Sequence, residues 1–191
     1  MSRQLSLFGI EAAAPGPDDL AGLLAGPGQV VRMGGTARVS VVVEERWRAV
    51  VLVTEMRERG LAATCVQTID ENLGVRTPYS TALAPLAAAW LRGALKVPPA
   101  GFALEGRQLR LWMAAAGRRE DKDVVLRLGR CTDGTDKTMQ RALAAIGLSC
   151  EILSGPVRTS PSLRISGRRR LARLAEMIGE PPDVAPEDVW P

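Results

Sequence analysis

The stretches RERGLAATCV (57–66) and AAIGLSCEI (144–152) carry one order of parts: the end of a helix, a Gly-Leu pair, then an extended run. The tripeptide Val-Arg-Thr also recurs, at 75–77 and 157–159. Read outward from these anchors, each half of the chain offers a helix, two strands, a helix, two strands and a helix. A unit written twice is expected to bury its apolar face partly against its copy. The expected architecture is therefore α+β, with two pseudo-repeated αββαββα units and antiparallel sheets, spanning 20–90 and 91–180.

The local signals fill in this plan. Asp18 or Asp19 can cap a short helix that stops at Gly26-Pro27-Gly28. In ARVSVVV (37–43), Arg38 and Ser40 alternate with Val39 and Val41, as on a half-buried strand. Residues 45–61 place Val50, Val51, Val53 and Met56 on a helical stripe that ends at Gly60. Strands are expected at 63–69 and 74–79, and an Ala/Leu helix at 81–95. In the second half, RQLRLWM (107–113) alternates Leu109, Leu111 and Met113 with Gln108, Arg110 and Trp112, which predicts a strand. Further strands are expected at 124–129, 149–153 and 162–166, with helices at 136–148 and 167–179. Outside the two units lie a tail (1–10), a Pro/Gly/Ala linker (11–19) and a Pro-rich C-terminal tail (181–191). In that last segment Trp190 is a second docking peptide or the cover of a patch on the domain, and the second reading is preferred.

Composition removes several function classes. The 191 residues include no histidine, which excludes the commonest general base and with it Ser-His and Cys-His chemistry. Cys65, Cys131 and Cys150 are far apart and form no CxxC, so neither a disulfide framework nor a zinc site of usual type is expected. No run of about 18 uncharged apolar residues exists, and no signal peptide opens the chain, so a cytoplasmic location is expected. Basic residues outnumber acidic ones by 25 to 21, and only three of the basic ones are lysine. Arginine's planar fork suits phosphates and guanine edges. A GC-rich genome would give the same bias, and a net charge of +4 permits nucleic-acid binding without demanding it.

Residues 20–28, Leu-Ala-Gly-Leu-Leu-Ala-Gly-Pro-Gly, resemble the LAGLIDADG signature of homing endonucleases, and residues 91–98 are similar to it more loosely. With the repeated element order, the resemblance covers about 18–180. It implies paired signature helices meeting at small residues, here Gly22 and Gly93, and two sheets that form a saddle over DNA. It also implies a carboxylate at the eighth place of each signature, holding two metal ions for phosphodiester cleavage. Those places carry Pro27 and Pro98 here, and the sixth places Ala25 and Lys96, so no enzyme activity, no cofactor and no metal are expected. The closest carboxylates are Asp18, Asp19 and Glu105, and a rival nuclease reading would use unconventional acids such as Glu105 or Asp123. On the saddle, alternation nominates Arg38, Ser40, Gln108, Arg110, Trp112 and Arg164 as DNA contacts, and the Val-Arg-Thr repeat adds Arg76 and Arg158. The run Arg168-Arg169-Arg170 with Arg173 sits at a helix start, where positive charge is locally unfavourable.

Gln4-Leu5-Ser6-Leu7-Phe8 resembles the consensus pentapeptide with which bacterial polymerases and repair proteins dock on the DNA polymerase III beta sliding clamp. An extended peptide would place Leu7 and Phe8 in an apolar pocket, Leu5 on its rim and the Gln4 amide against clamp backbone. The expected function is a non-catalytic, DNA-binding accessory protein of replication or repair, tethered to the clamp. The expected state is a monomer with an internal pseudo-two-fold, in the cytoplasm at the nucleoid. The alternatives are a regulator that occupies the clamp groove against other clients, and a LAGLIDADG-type transcription regulator.

Overall fold

The computed structural model describes residues 14–130, 132–154 and 160–191. A 3-10 turn (Pro17–Leu20) runs into α1 (Ala21–Ala25), followed by β1 (Gln29–Met33), β2 (Thr36–Val43), α2 (Arg46–Glu58), β3 (Thr64–Gln67), β4 (Leu73–Arg76) and α3 (Ala84–Trp90). A short hairpin, β5 (Leu91–Arg92) and β6 (Leu95–Lys96), links this unit to the next. The second unit comprises α4 (Gly106–Ala116), β7 (Gly117–Glu120), β8 (Asp123–Arg127), α5 (Thr135–Ala145), β9 (Glu151–Leu153), β10 (Ser162–Ser166) and α6 (Arg168–Ile178). Both sheets are antiparallel and share one strand order, β1-β2-β4-β3 and β7-β8-β10-β9. The αββαββα plan and its repetition are thus present in the fold.

The Gly-Leu anchors end their helices in the same way. Gly60 and Gly147 have φ of +75° and +83°, the left-handed region that glycine enters without steric penalty. Leu61 N–H donates to the Met56 carbonyl at 3.0 Å, and Leu148 N–H to the Leu143 carbonyl at 2.9 Å. Both leucines are buried just past the helix end, which anchors the chain as it enters the next strand. In β2, Ala37, Val39, Val41 and Val43 are buried while Arg38, Ser40 and Val42 face away from the helices. The sheet therefore has one core face and one outer face.

Several expectations are corrected. Residues 107–113 are helical, within α4, not a strand. Leu109 and every residue from Leu111 to Ala116 are buried, so the helix has almost no solvent face and the Leu/Leu/Met alternation says nothing about its period. Glu105 and Gln108 close a capping box at its start, with Glu105 N–H donating to Gln108 Oε1 at 3.1 Å. The second unit therefore opens at Gly106, and residues 91–96 form the linking hairpin instead of a signature helix. Gly93, at φ +63°, sits in that hairpin with open space where a Cβ would be, so no helix approaches it. The partner of α1 is α4. A Cβ on Gly22 would lie 1.8 Å from the Gln108 carbonyl oxygen, and one on Gly26 would lie 2.6 Å from the Trp112 ring.

Strands β1 and β7 lie where the sequence pattern predicts none. Most of their residues are exposed, because each is a sheet edge with one side open to solvent: β7 is charged after Gly117, and β1 buries Val30 alone while Val31 and Met33 stand exposed. The stripe on α2 also differs: Val50 is 46% exposed, whereas Arg48 and Glu55 face inward. Glu55 belongs to a buried network. Arg59 pairs with Asp19 at 3.0 Å and Glu55 at 2.7 Å, and Arg107 and Arg110 reach the same two carboxylates. Trp190 covers the domain: it is 4% exposed, its Nε1–H donates to the Gly179 carbonyl at 3.0 Å, and the Arg110 guanidinium lies 5.4 Å from its ring.

Candidate nucleic-acid interface

The outer faces of the two sheets are the surface that both units contribute. On the first, Ser40 pairs with Arg76 across β2 and β4, and Arg76 with Thr64 across to β3. Arg38 is two residues from Ser40 on the same face, its guanidinium 4.8 Å from the Tyr79 ring. Stacking on that ring holds the charge in place without neutralising it. Among the described residues, neither Arg38 nor Arg76 has a carboxylate within ion-pair distance. Val31, Met33, Val42 and Val66 share this face and are 37–58% exposed.

The second sheet presents a different face. Arg118, Val125, Arg164 and Glu151 form one row across its four strands. Val125 is fully covered, with an arginine on either side of it in the register. Acids partner these arginines. Glu120 contacts Arg118 at 2.5 Å and Arg164 at 3.5 Å, and Asp123 lies 3.9 Å from Arg164. Arg164 Nε is buried and makes no hydrogen bond. Where the sheets meet, Arg127 reaches Glu44 at 3.3 Å. A groove there is lined by Pro27, Val42, Glu44, Arg118, Arg127 and Ser162, among others.

The groove floor is made where α1 and α4 hand over to their sheets. Gly28 and Gly117 stand at these transitions, and the residues before them are Pro27 and Ala116. The expectation of Pro98 at the second position is thereby replaced by Ala116. Both helix ends are capped by buried cations. Lys96 Nζ donates to the carbonyls of Gly26 (2.7 Å) and Gly28 (2.8 Å). The Arg48 guanidinium donates to Met113 (3.2 Å), Ala114 (2.9 Å) and Gly117 (2.7 Å), and its Nε to Glu45. Burial lowers the Arg48 pKa from its ordinary value, and the Glu45 carboxylate opposes that shift.

The sequence-nominated contacts divide accordingly. Arg38, Ser40 and Arg76 share the first outer face, and Arg164 lies on the second. Gln108, Arg110 and Trp112 are on α4 and away from both faces, which corrects their nomination. Gln108 caps its own helix, and Arg110 binds Glu55 and the carbonyls of Ile178 and Glu180. Trp112 is fully buried, with Nε1–H donating to the Arg127 carbonyl at 2.8 Å. Arg158 and the pentapeptide Gln4, Leu5, Ser6, Leu7 and Phe8 lie outside the described residues. Sequence reasoning missed Arg118 and Arg127. For Arg127 the signal is its alternation with Leu126 and Leu128 in the strand expected at 124–129; Arg118 lies in β7, where the pattern predicts no strand. Arg173 is engaged locally, its Nε donating to the Ile146 carbonyl at the end of α5.

No family profile and no curated protein matches this chain. Among solved structures the fold is that of the LAGLIDADG proteins. A structure of the homing endonuclease I-WcaI bound to its DNA recognition sequence superposes with a TM-score of 0.64 at 12% identity, covering 85% of this chain and 79% of that one. Full-length DUF199/WhiA from Thermotoga maritima gives a TM-score of 0.62 at 12% identity, covering 88% of this chain and 56% of that one. I-DmoI in complex with DNA and Ca gives 0.54 at 17% identity, covering 88% and 94%. At these identities the likeness is one of fold. No helix among the described residues is long and apolar enough to cross a membrane.

Proposed function

We propose that this protein binds duplex DNA on the joined outer faces of its two sheets, does not cut it, and is held on the bacterial sliding clamp by residues 4–8. The observation that carries DNA binding is the pair Arg38 and Arg76, which share the outer face without carboxylate partners and are flanked by Ser40 and Thr64. Unneutralised guanidinium groups beside hydroxyls make a phosphate-binding set. I-WcaI, of the same fold, is bound to DNA in its structure. The non-cutting part rests on Pro27 and Ala116, which offer no side-chain oxygen as a ligand. The rival acids are engaged elsewhere, since Glu105 caps α4 and Asp123 faces Arg164.

Fluorescence anisotropy on a labelled duplex across a salt series tests the DNA contact. Each released phosphate contact removes about one unit from the slope of log K against log salt, so Arg38→Ala and Arg76→Ala each flatten it by about one. Wild-type slopes in both variants refute the assignment.

The tether rests on the pentapeptide itself. Two weak attachments reinforce one another through effective concentration, so clamp and DNA together bind more tightly than either alone. Loss of clamp binding in the double variant Leu7→Ala, Phe8→Ala is the expected result, and equal binding ends the tether. Clamp binding without DNA binding would instead favour the groove-occupying regulator. Sequence-specific DNA binding that survives deletion of 1–10 would favour the transcription regulator. On the preferred reading the protein acts as a monomer at the nucleoid, in replication or repair.

A further inference from the structure

We infer that Lys96 and Arg48 stand in for divalent metal as the positive centres beneath the groove, so that the saddle binds DNA without a metal ion. This rests on the DNA-binding reading above. A divalent ion of the magnesium or calcium type needs several oxygen ligands, carboxylates foremost. The residues at the two helix ends do not fit one. Pro27 and Ala116 have no ligating side-chain atom. The carbonyls beside them, Gly26 and Gly28 on one helix and Ala114 and Gly117 on the other, already accept hydrogen bonds from a buried ammonium and a buried guanidinium. The neighbouring acids are engaged: Glu45 with Arg48 and Glu44 with Arg127. Among the described residues no group of three or more acids or cysteines could hold a metal ion. A second cation at either end would be repelled by a fixed charge a few ångströms away in a poorly solvated site.

The same geometry places these charges where they act on DNA. Gly26 and Gly28 flank Pro27, which lines the groove, and Arg48 donates to the carbonyl of Gly117, the residue before Arg118, which lines it too. A cation at a helix C-terminus also offsets the negative end of the dipole, which would otherwise face the phosphates. Neither side chain touches DNA; each contributes through its field.

Four measurements on the full-length protein test this. First, Mn²⁺ is titrated into the protein without DNA and followed by electron paramagnetic resonance. No saturable site is expected below millimolar concentration, and a stoichiometric site overturns the inference whether or not the protein binds DNA. Second, the Kd for a duplex is compared in EDTA and in Mg²⁺ at matched ionic strength. Equality within about twofold is expected from screening alone, and a tenfold requirement for Mg²⁺ overturns the inference. Absence of DNA binding in both buffers refutes the function reading, while the Mn²⁺ titration still decides the seam. Third, Ala116→Asp introduces an acid next to Gly117, whose carbonyl Arg48 binds. The new carboxylate is expected to pair with Arg48 and bind no Mn²⁺, and gain of a Mn²⁺ site shows that the guanidinium does not exclude metal. Lys96→Met, assayed where circular dichroism shows it folded, is expected to weaken DNA binding about threefold to tenfold with the salt slope unchanged. An unchanged Kd removes Lys96 from the inference.

Discussion

Replacing Gly22 by alanine adds one methyl group at the tightest point of the helix seam. Alanine is ordinarily the better helix former by about 1 kcal/mol, so propensity alone predicts a gain. The structure predicts a large loss. The new Cβ would stand 1.8 Å from the Gln108 carbonyl oxygen and 2.7 Å from the Gln108 Cα, all backbone atoms of α4. No rotamer change relieves contact with backbone, so α1 and α4 must part by roughly 1.5 Å to restore van der Waals separation. That opens the packing of Leu20, Leu23 and Leu24 against Leu109 and Trp112, all fully buried. Loss of contact over such a ridge resembles a large-to-small core substitution, about 3–5 kcal/mol, and for a chain of this length lowers Tm by roughly 10 °C. Urea denaturation followed by circular dichroism gives the number, with Gly93→Ala as control. There the Cβ meets nothing, and only the left-handed backbone at φ +63° penalises alanine, by about 1 kcal/mol. A Gly22→Ala variant within about 1 kcal/mol of wild type refutes the close seam.

Arg59→Met strands Asp19 and Glu55 in the interior with Arg107 and Arg110 as their remaining cations; a loss of about 3 kcal/mol in urea unfolding is expected, and a loss under about 1 kcal/mol shows that the network is dispensable. Trp112→Phe removes the indole donor to the partly buried Arg127 carbonyl, at an expected cost of about 1 kcal/mol by the same method. Cys150 has its thiol pushed up to about 11 by burial, with Arg170 opposing, while Cys65 is exposed. Iodoacetamide at about pH 8, read by peptide mass spectrometry, is expected to modify Cys65 well before Cys150. Because the folded state keeps the Cys150 proton longer than the unfolded chain, stability falls as pH rises from about 9 to 11. In Cys150→Ala that portion of the fall is expected to vanish, and an unchanged pH profile refutes the assignment.

Much of the plan is legible in the sequence because helix ends, turns and half-buried strands are marked locally. Gly60 and Gly147 announce their helix ends through a conformation that disfavours other residues, and β2 declares its two faces by alternation. α4 reads as a strand for a reason of burial. With leucine, tryptophan, methionine and alanine on nearly every side, a helix loses its polar stripe, and three apolar residues two apart then imitate a strand. The edge strands β1 and β7 escape pattern because an edge has one side open to solvent: β7 is charged after Gly117, and in β1 apolar Val31 and Met33 are exposed, so neither shows a clean alternation. Of the candidate interface, Arg38, Ser40 and Arg76 come from pattern alone. Arg48 and Lys96 cannot, because they act on carbonyls 65 or more residues away in the chain.

Residue order by itself determined that this chain repeats an αββαββα unit, which depends on local backbone preference. The close helix approach at Gly22 and the missing acid at Pro27 were implied by the resemblance of residues 20–28 to the LAGLIDADG signature. The tertiary structure decided which helix completes the seam, which arginines remain unneutralised and what fills the helix ends. Each of those depends on pairings between distant segments, whose geometry is set by how two apolar faces close on one another and not by the period of either.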